Sequence, residues 1–227
     1  MKRFLFFIMS FISVITFAQQ PAELPLWPGD APNTNGLTEK EKEASHLQPM
    51  IRIGKSYLGT KYVANTLDES PEEKLVIQLQ KVDCLTFVEY VLAQALSSDI
   101  TRNLQNIRYR DGIIDGYPSR LHYTSDWIEN GVRHGYLEDI TAENSSYINK
   151  LSLSFMSTHP ELYKQLANSP ENVKRIAECE KALTGKTVHI LPKNKLPDKG
   201  LPWIEDGDII AITTSLPGLD IAHVGIA

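Results

Sequence analysis

The sequence is short of most features that would classify it quickly. Only two cysteines occur in 227 residues, which excludes a disulfide-dense scaffold. Glycine and proline number 13 each, too few for a collagen-like or low-complexity chain. Basic charge is also scarce: 23 Lys and Arg face 28 Asp and Glu, a formal net charge of −5. With no net positive field and no Lys/Arg run interleaved with aromatics, nucleic acid is excluded as the main partner. No G-x-S-x-G occurs, so a serine-hydrolase elbow is not supported. The six histidines form no H-E-x-x-H and no Cys/His ligand spacing, so neither a metal nor a cofactor is expected. Gly185-Lys186-Thr187 looks like the end of a phosphate loop, but Glu180 stands where the upstream glycine is required. No internal repeat is visible.

What is present describes one globular domain with room for an insertion, since 42% of the residues are hydrophobic. Residues 1–18 read as a secretory signal peptide. Met1-Lys2-Arg3 is a basic start, Phe4 to Phe17 is an apolar run too short to span a membrane comfortably, and Thr16-Phe17-Ala18 places small residues at a cleavage site. Export to the periplasm or the cell exterior is expected, with no stable membrane anchor after cleavage. Residues 19–37, rich in Pro, Asn and Gly, read as an extended arm.

The folded domain is expected over 38–227. Thr38 with Glu41 is a capping-box pattern, and Pro49 can open a helix ending near Gly59. Leu75 to Gln80 reads as a strand. Cys84 to Ser98 reads as a helix apolar nearly all round, hence buried. Residues 100–120 read as strand and turn, and Arg120 to Trp127 as a loop running into a helix with Trp127 in the core. Ser169-Pro170 opens a helix closed by Gly185. Asp208 to Thr214 and Ile221 to Ala227 read as strands joined at Pro217-Gly218.

Two residues carry chemistry. Asp83 is a preferred N-cap, which puts Cys84 in the first helical turn. There the unpaired N–H groups favour a thiolate and can hold an oxyanion. His223 lies mid-strand in Ile221-Ala222-His223-Val224-Gly225, sharing a face with Ile221 and Gly225 by period-2 alternation. A histidine is the usual base for a cysteine nucleophile. The bland alternatives are a core thiol, or a disulfide between Cys84 and Cys179 in an exported protein. Cys179, flanked by Glu178 and Glu180, is expected to be a bystander.

Four segments then resemble a known family. Gly59-Thr60-Lys61-Tyr62, Val82-Asp83-Cys84-Leu85-Thr86-Phe87-Val88-Glu89, Ser119-Arg120-Leu121-His122-Tyr123-Thr124-Ser125-Asp126-Trp127 and Gly218-Leu219-Asp220-Ile221-Ala222-His223-Val224-Gly225 are similar to the N-acetylmuramoyl-L-alanine amidase-like branch of the NlpC-type, papain-like cell-wall hydrolases. The resemblance spans roughly residues 45–227. It implies an α+β fold, with a central buried helix packed on an antiparallel sheet and a helical insertion at about 100–200. It implies a cysteine-dependent amidase acting on peptidoglycan muropeptides as a monomer, with Cys84 as nucleophile and His223 as base. Tyr62, Asp83, Arg120, His122, Ser125, Asp126 and Asp220 would form or adjoin the substrate groove. The same resemblance admits cleavage between D-Glu and the third stem residue. A non-catalytic peptidoglycan binder with the two cysteines bridged is the reading from another class. A third polar group is expected on a strand after His223, beyond Ala227, so C-terminal strands are read as missing. Asp220 and His122 are the substitutes within the sequence.

Overall fold

The computed structural model describes residues 2–8, 24–25 and 49–227. The helix expected from Thr38, the cleavage site at Ala18 and most of the arm lie outside these residues. In chain order the elements are strands β1 (Lys2–Ile8) and β2 (Leu24–Pro25), helix α1 (Pro49–Lys55), and strands β3 (Lys61–Tyr62) and β4 (Lys81–Val82). Helices α2 (Cys84–Leu96), α3 (Ile100–Arg108) and α4 (Thr124–Arg133) follow, then β5 (Leu137–Asp139), α5 (Thr141–Asn144), β6 (Ile148–Lys150) and α6 (Phe155–Thr158). The chain continues through α7 (Pro170–Leu183), β7 (Thr187–His189) and β8 (Leu191–Pro192) to β9 (Ile209–Thr213) and β10 (Ile221–Ile226).

Helix α2 is the centre of the molecule. Its residues Val88, Glu89, Tyr90, Val91, Leu92 and Ala93 are all buried, as a helix enclosed on every side requires. It packs with Met50, Leu104, Ile107, Trp127 and Leu137, and with Ile209, Ala211 and Val224 of the sheet. Burial of side chains such as Val91 and Leu92 stabilises the fold by about 1.5–3 kcal/mol each. The one ionised group on α2, Glu89, is buried against Arg108 of α3 at 2.7 Å.

The main sheet has the order β10-β9-β1-β5, with β8 also paired to β1. β9 and β10 are antiparallel, but β1 runs parallel to β9, β5 and β8. The sheet is therefore mixed, not purely antiparallel as the sequence suggested. The difference comes from Lys2–Ile8, read from sequence as a processing segment and placed here beside β9.

Two further expectations are corrected. Residues 100–108 form a helix, not a strand: Asp99 caps it by accepting the Arg102 N–H, and Leu104, Ile107 and Arg108 bury one face. The turn after it was read correctly, with Asp111 and Gly112 both at positive φ. Leu75 to Gln80 joins no ladder and ends in a turn at Leu79-Gln80. Its backbone is satisfied by side chains instead: Arg108 donates to the Val76 carbonyl at 2.6 Å, and the Tyr90 hydroxyl accepts from the Gln78 N–H at 2.9 Å.

A second, smaller core joins Tyr117, Tyr123, Leu153, Met156, Leu166 and Ile176 under α7. Its polar centre is buried Glu180, which accepts from the Tyr123 hydroxyl at 2.6 Å and from the Ser157 N–H at 3.0 Å. Helix α7 is capped by Ser169 and started by Pro170, as its sequence predicts. This unit, with the antiparallel β6–β7 pair, occupies the region expected to be inserted.

Candidate active site

Asp83 caps α2 with a full capping box. Its carboxylate accepts the Thr86 N–H at 2.8 Å, and the Thr86 hydroxyl accepts the Asp83 N–H at 2.8 Å. Cys84 is the first residue of the helix, half-buried and free, as is Cys179. The bridged-cysteine alternative is thus not the state of the chain.

Three hydrogen-bond donors converge on the Cys84 sulfur: the Val224 N–H of β10, the Tyr62 hydroxyl of β3 and the Leu85 N–H of its own helix. Burial raises the thiol pKa most, the Asp83 carboxylate raises it further, and the three donors pull it back only in part. The net shift is upward, so the resting group is a thiol. Burial and the neighbouring sulfur in turn push the Tyr62 hydroxyl well above the ordinary tyrosine range.

The sulfur therefore touches the backbone of the residue that follows His223. The alternation expected for that strand is broken, because a bulge separates Ile221 from His223. Ala222 and His223 are both exposed, and Val224 turns inward at 2% exposure. The His223 pKa is lowered, with partial burial as the cause. Among the described residues, no side chain hydrogen-bonds its ring.

The other residues singled out from sequence divide into separate groups. Asp220 is buried and accepts the Ser125 N–H at 2.7 Å and the Ile221 N–H at 2.8 Å. It caps α4 from a distant segment, because Tyr123 at the N-cap position has no side-chain cap to offer. Burial raises its pKa. Arg120 is buried, bonded to Glu73 through two nitrogens and to Asp68 at 2.8 Å, and lies over the Tyr117 ring. His122 donates from Nε2 to the Tyr117 carbonyl at 2.9 Å. Burial and then the Arg120 charge lower its pKa to about 3, so it is neutral with Nδ1 unprotonated. Neither Asp220 nor His122 therefore substitutes as the group orienting His223. Asp126 pairs with Arg110 at a cleft of about 370 Å³ that also holds Cys179.

Tyr62, Asp83 and Cys84 thus come together where β3, α2 and β10 meet, and His223 adjoins them along β10 as the exposed residue before Val224. Arg120 and His122 form a structural cluster, Ser125 and Asp220 a cap, and Asp126 belongs to the Cys179 cleft. The Leu85 amide is one of the first-turn N–H groups expected from sequence, but sequence reasoning missed the Val224 amide, since a backbone group on a distant strand leaves no residue-type signal. It also missed Glu73 and Asp68, which neutralise Arg120.

Several solved structures are similar to this chain. A crystal structure described as an N-acetylmuramoyl-L-alanine amidase from Bacteroides uniformis is 59% identical, with a TM-score of 0.77 over 79% of this chain and 78% of that one. One described as a candidate xylanase from Bacteroides fragilis is 60% identical, with a TM-score of 0.76 over 78% of this chain and 80% of that one. A Legionella pneumophila protein, 22% identical with a TM-score of 0.56 over 83% of this chain and 80% of that one, shares the fold. No curated protein matches the chain. The class is therefore that of α+β proteins built like amidases. The chain belongs to the N-acetylmuramoyl-L-alanine amidase-like family, whose profile matches residues 52–227.

Proposed function

We propose that the protein is an exported, NlpC-type papain-like thiol hydrolase that cleaves the amide between N-acetylmuramic acid and L-alanine in peptidoglycan fragments. The observation that carries this reading is the convergence of three donors on one helix-start sulfur, one residue along the strand from a histidine. Family membership and the amidase relatives support the substrate class.

In the proposed reaction His223, kept neutral by its lowered pKa, takes the thiol proton as Cys84 attacks the lactyl carbonyl carbon. Donors beside the sulfur stabilise the developing oxyanion. The C–N bond then breaks, His223 returns the proton to the leaving amine, and a thioester remains on Cys84. Water, deprotonated by the same imidazole, hydrolyses the thioester, freeing the lactyl carboxylate and the thiol. The acid limb of kcat/KM is expected below pH 6.5, because His223 acts in its unprotonated form and its pKa is depressed.

A glycosidase reading, suggested by the xylanase relative, needs two carboxyl groups facing each other across the cleft. Asp83 and Asp220 are instead committed to helix caps, which favours amide cleavage. The test is mass spectrometry of digested muropeptides. Free peptide beginning with L-alanine supports the proposal; an Ala-Glu remnant left on the sugar moves the cleaved bond to the endopeptidase position. Release undiminished in Cys84→Ala overturns the nucleophile.

A further inference from the structure

The connection between β3 and β4, residues 63–80, contains turns but no helix or strand. Both of its ends enter the candidate site. Tyr62 immediately precedes it and Val82-Asp83-Cys84 closely follows it. The two ends are tied together, with Tyr62 opposite Val82 in the parallel β3–β4 pair and the Val63 N–H donating to the Val82 carbonyl at 2.9 Å. How this strap is held therefore bears on the contact between the Tyr62 hydroxyl and the Cys84 sulfur.

A buried polar ledge grips the strap. Tyr109 and Arg120 meet in an antiparallel bridge, and the Leu121 N–H donates to the Arg108 carbonyl at 2.9 Å. Three side chains of this ledge reach across. Arg120 forks onto Glu73, with Nε at 3.0 Å and one terminal nitrogen at 2.7 Å, and its other terminal nitrogen reaches Asp68 at 2.8 Å. Tyr109 donates its hydroxyl to Glu73 at 2.6 Å. Arg108, whose charge is met by Glu89 of α2, donates to the Val76 carbonyl at 2.6 Å. The Arg120 and Glu73 side chains are only 9% and 4% exposed. Burying such a pair gains little stability over apolar residues of the same volume, because desolvation offsets the attraction. What it supplies is geometry, since a planar fork fixes the distance and orientation of the carboxylate it holds.

We propose that Arg120 is a positioning residue for Cys84, acting through the 63–80 strap to hold the Tyr62 hydroxyl on the sulfur. The inference rests on the hydrolase reading, which makes Cys84 the reacting group, and deepens it by giving the buried guanidinium a part in that site. Arg120 and Tyr62 then act on the thiol as one unit.

The test uses the full chain carrying Cys179→Ala, so that iodoacetamide reports a single thiol, with its alkylation rate followed against pH. Tyr62→Phe removes a donor to the sulfur and is expected to move the midpoint of that profile upward, slowing alkylation near neutral pH about threefold. Arg120→Lys keeps the charge but cannot fork, and is expected to move the midpoint upward by a similar amount. Once Tyr62→Phe is present, it should move the midpoint no further. A merely structural role would lower the urea midpoint of unfolding and leave the alkylation profile where it was. That result overturns the proposal, as does an equal further shift by Arg120→Lys in the Tyr62→Phe chain. Should Arg120→Lys not fold, Asp68→Asn is read in its place by the same criteria, because it loosens the clamp and leaves the Glu73 fork standing. Muropeptide turnover is scored separately, in the chain with Tyr62 and Arg120 intact. If turnover is present while the two substitutions shift the profile independently, the positioning role alone fails. If they act as one unit in a chain without turnover, the positioning role holds and the hydrolase reading fails.

Discussion

The two cysteines occupy regions built on different plans. Cys84 starts a helix in the main core, and donors from β3, α2 and β10 converge on its sulfur. Cys179 lies in the middle of α7, beside the Arg110–Asp126 ion pair at an open cleft. Burial is the first cause raising both thiol pKa values; Arg110 then lowers that of Cys179, while Asp83 raises that of Cys84 further. A nearby cation therefore acts at Cys179 and a nearby carboxylate at Cys84, the reverse of what the proposed roles would suggest. At Cys179 the guanidinium is already neutralised by Asp126. At Cys84 fixed amide dipoles and a hydroxyl lie beside the sulfur, and in the proposed reaction they would need no reorganisation as negative charge develops.

The largest expected contrast is catalytic. Cys84→Ala is expected to lower muropeptide release by at least about a thousandfold, and Cys179→Ala to leave it within about twofold. Equal losses in the two variants would erase the distinction between the regions.

Stability should differ next. Arg108→Met strands the buried Glu89 carboxylate under the main core and is expected to cost about 3–5 kcal/mol. Arg110→Met breaks a partly exposed pair at the cleft, where about 1 kcal/mol is expected. Urea unfolding monitored by circular dichroism compares them, and similar midpoints would show the two pairs to be equally buried in practice.

A pH-dependent contrast concerns acid. His122 is neutral in the fold, with a pKa near 3, against about 6.5 when unfolded. Between those values the unfolded chain binds the extra proton, so stability falls as pH drops from about 6.5 towards 3. In His122→Gln, that part of the pH dependence should be missing from unfolding midpoints measured across this window. The smallest change is expected for Asp83→Ala, about 1 kcal/mol from the lost α2 cap. Because the Asp83 carboxylate raises the Cys84 thiol pKa, alkylation of Cys84 is expected to quicken in that variant, and an unchanged rate would contradict the role given to the carboxylate.

Legibility from sequence followed the range of the interactions involved. The α2 cap, the Ser169-Pro170 start of α7 and the β9–β10 pair were readable because each depends on neighbours a few residues apart. Residues 100–108 were misread although Ile100, Leu104 and Ile107 stand at helical spacing; the signal is thin among polar residues, and Arg108 is buried through a partner 19 residues earlier. Leu75 to Gln80 carries a strand-like composition, yet Arg108 and Tyr90 take up its backbone groups. Asp220, read as a site residue, is a cap for a helix start 95 residues away. Residue type alone could not separate that use from catalysis.

The sequence by itself determined where the Cys84 sulfur stands, because an aspartate before a buried apolar helix places the next residue among unpaired N–H groups. Four ordered segments also identified the family. Only the tertiary structure decided which polar residues reach that sulfur and which are held elsewhere. The bulge in β10, the Tyr62 hydroxyl and the long-range partners of Arg120 and Asp220 arise from packing between distant segments. A local sequence pattern encodes the conformation of its own few residues, whereas a contact across the core depends on how every intervening element is packed.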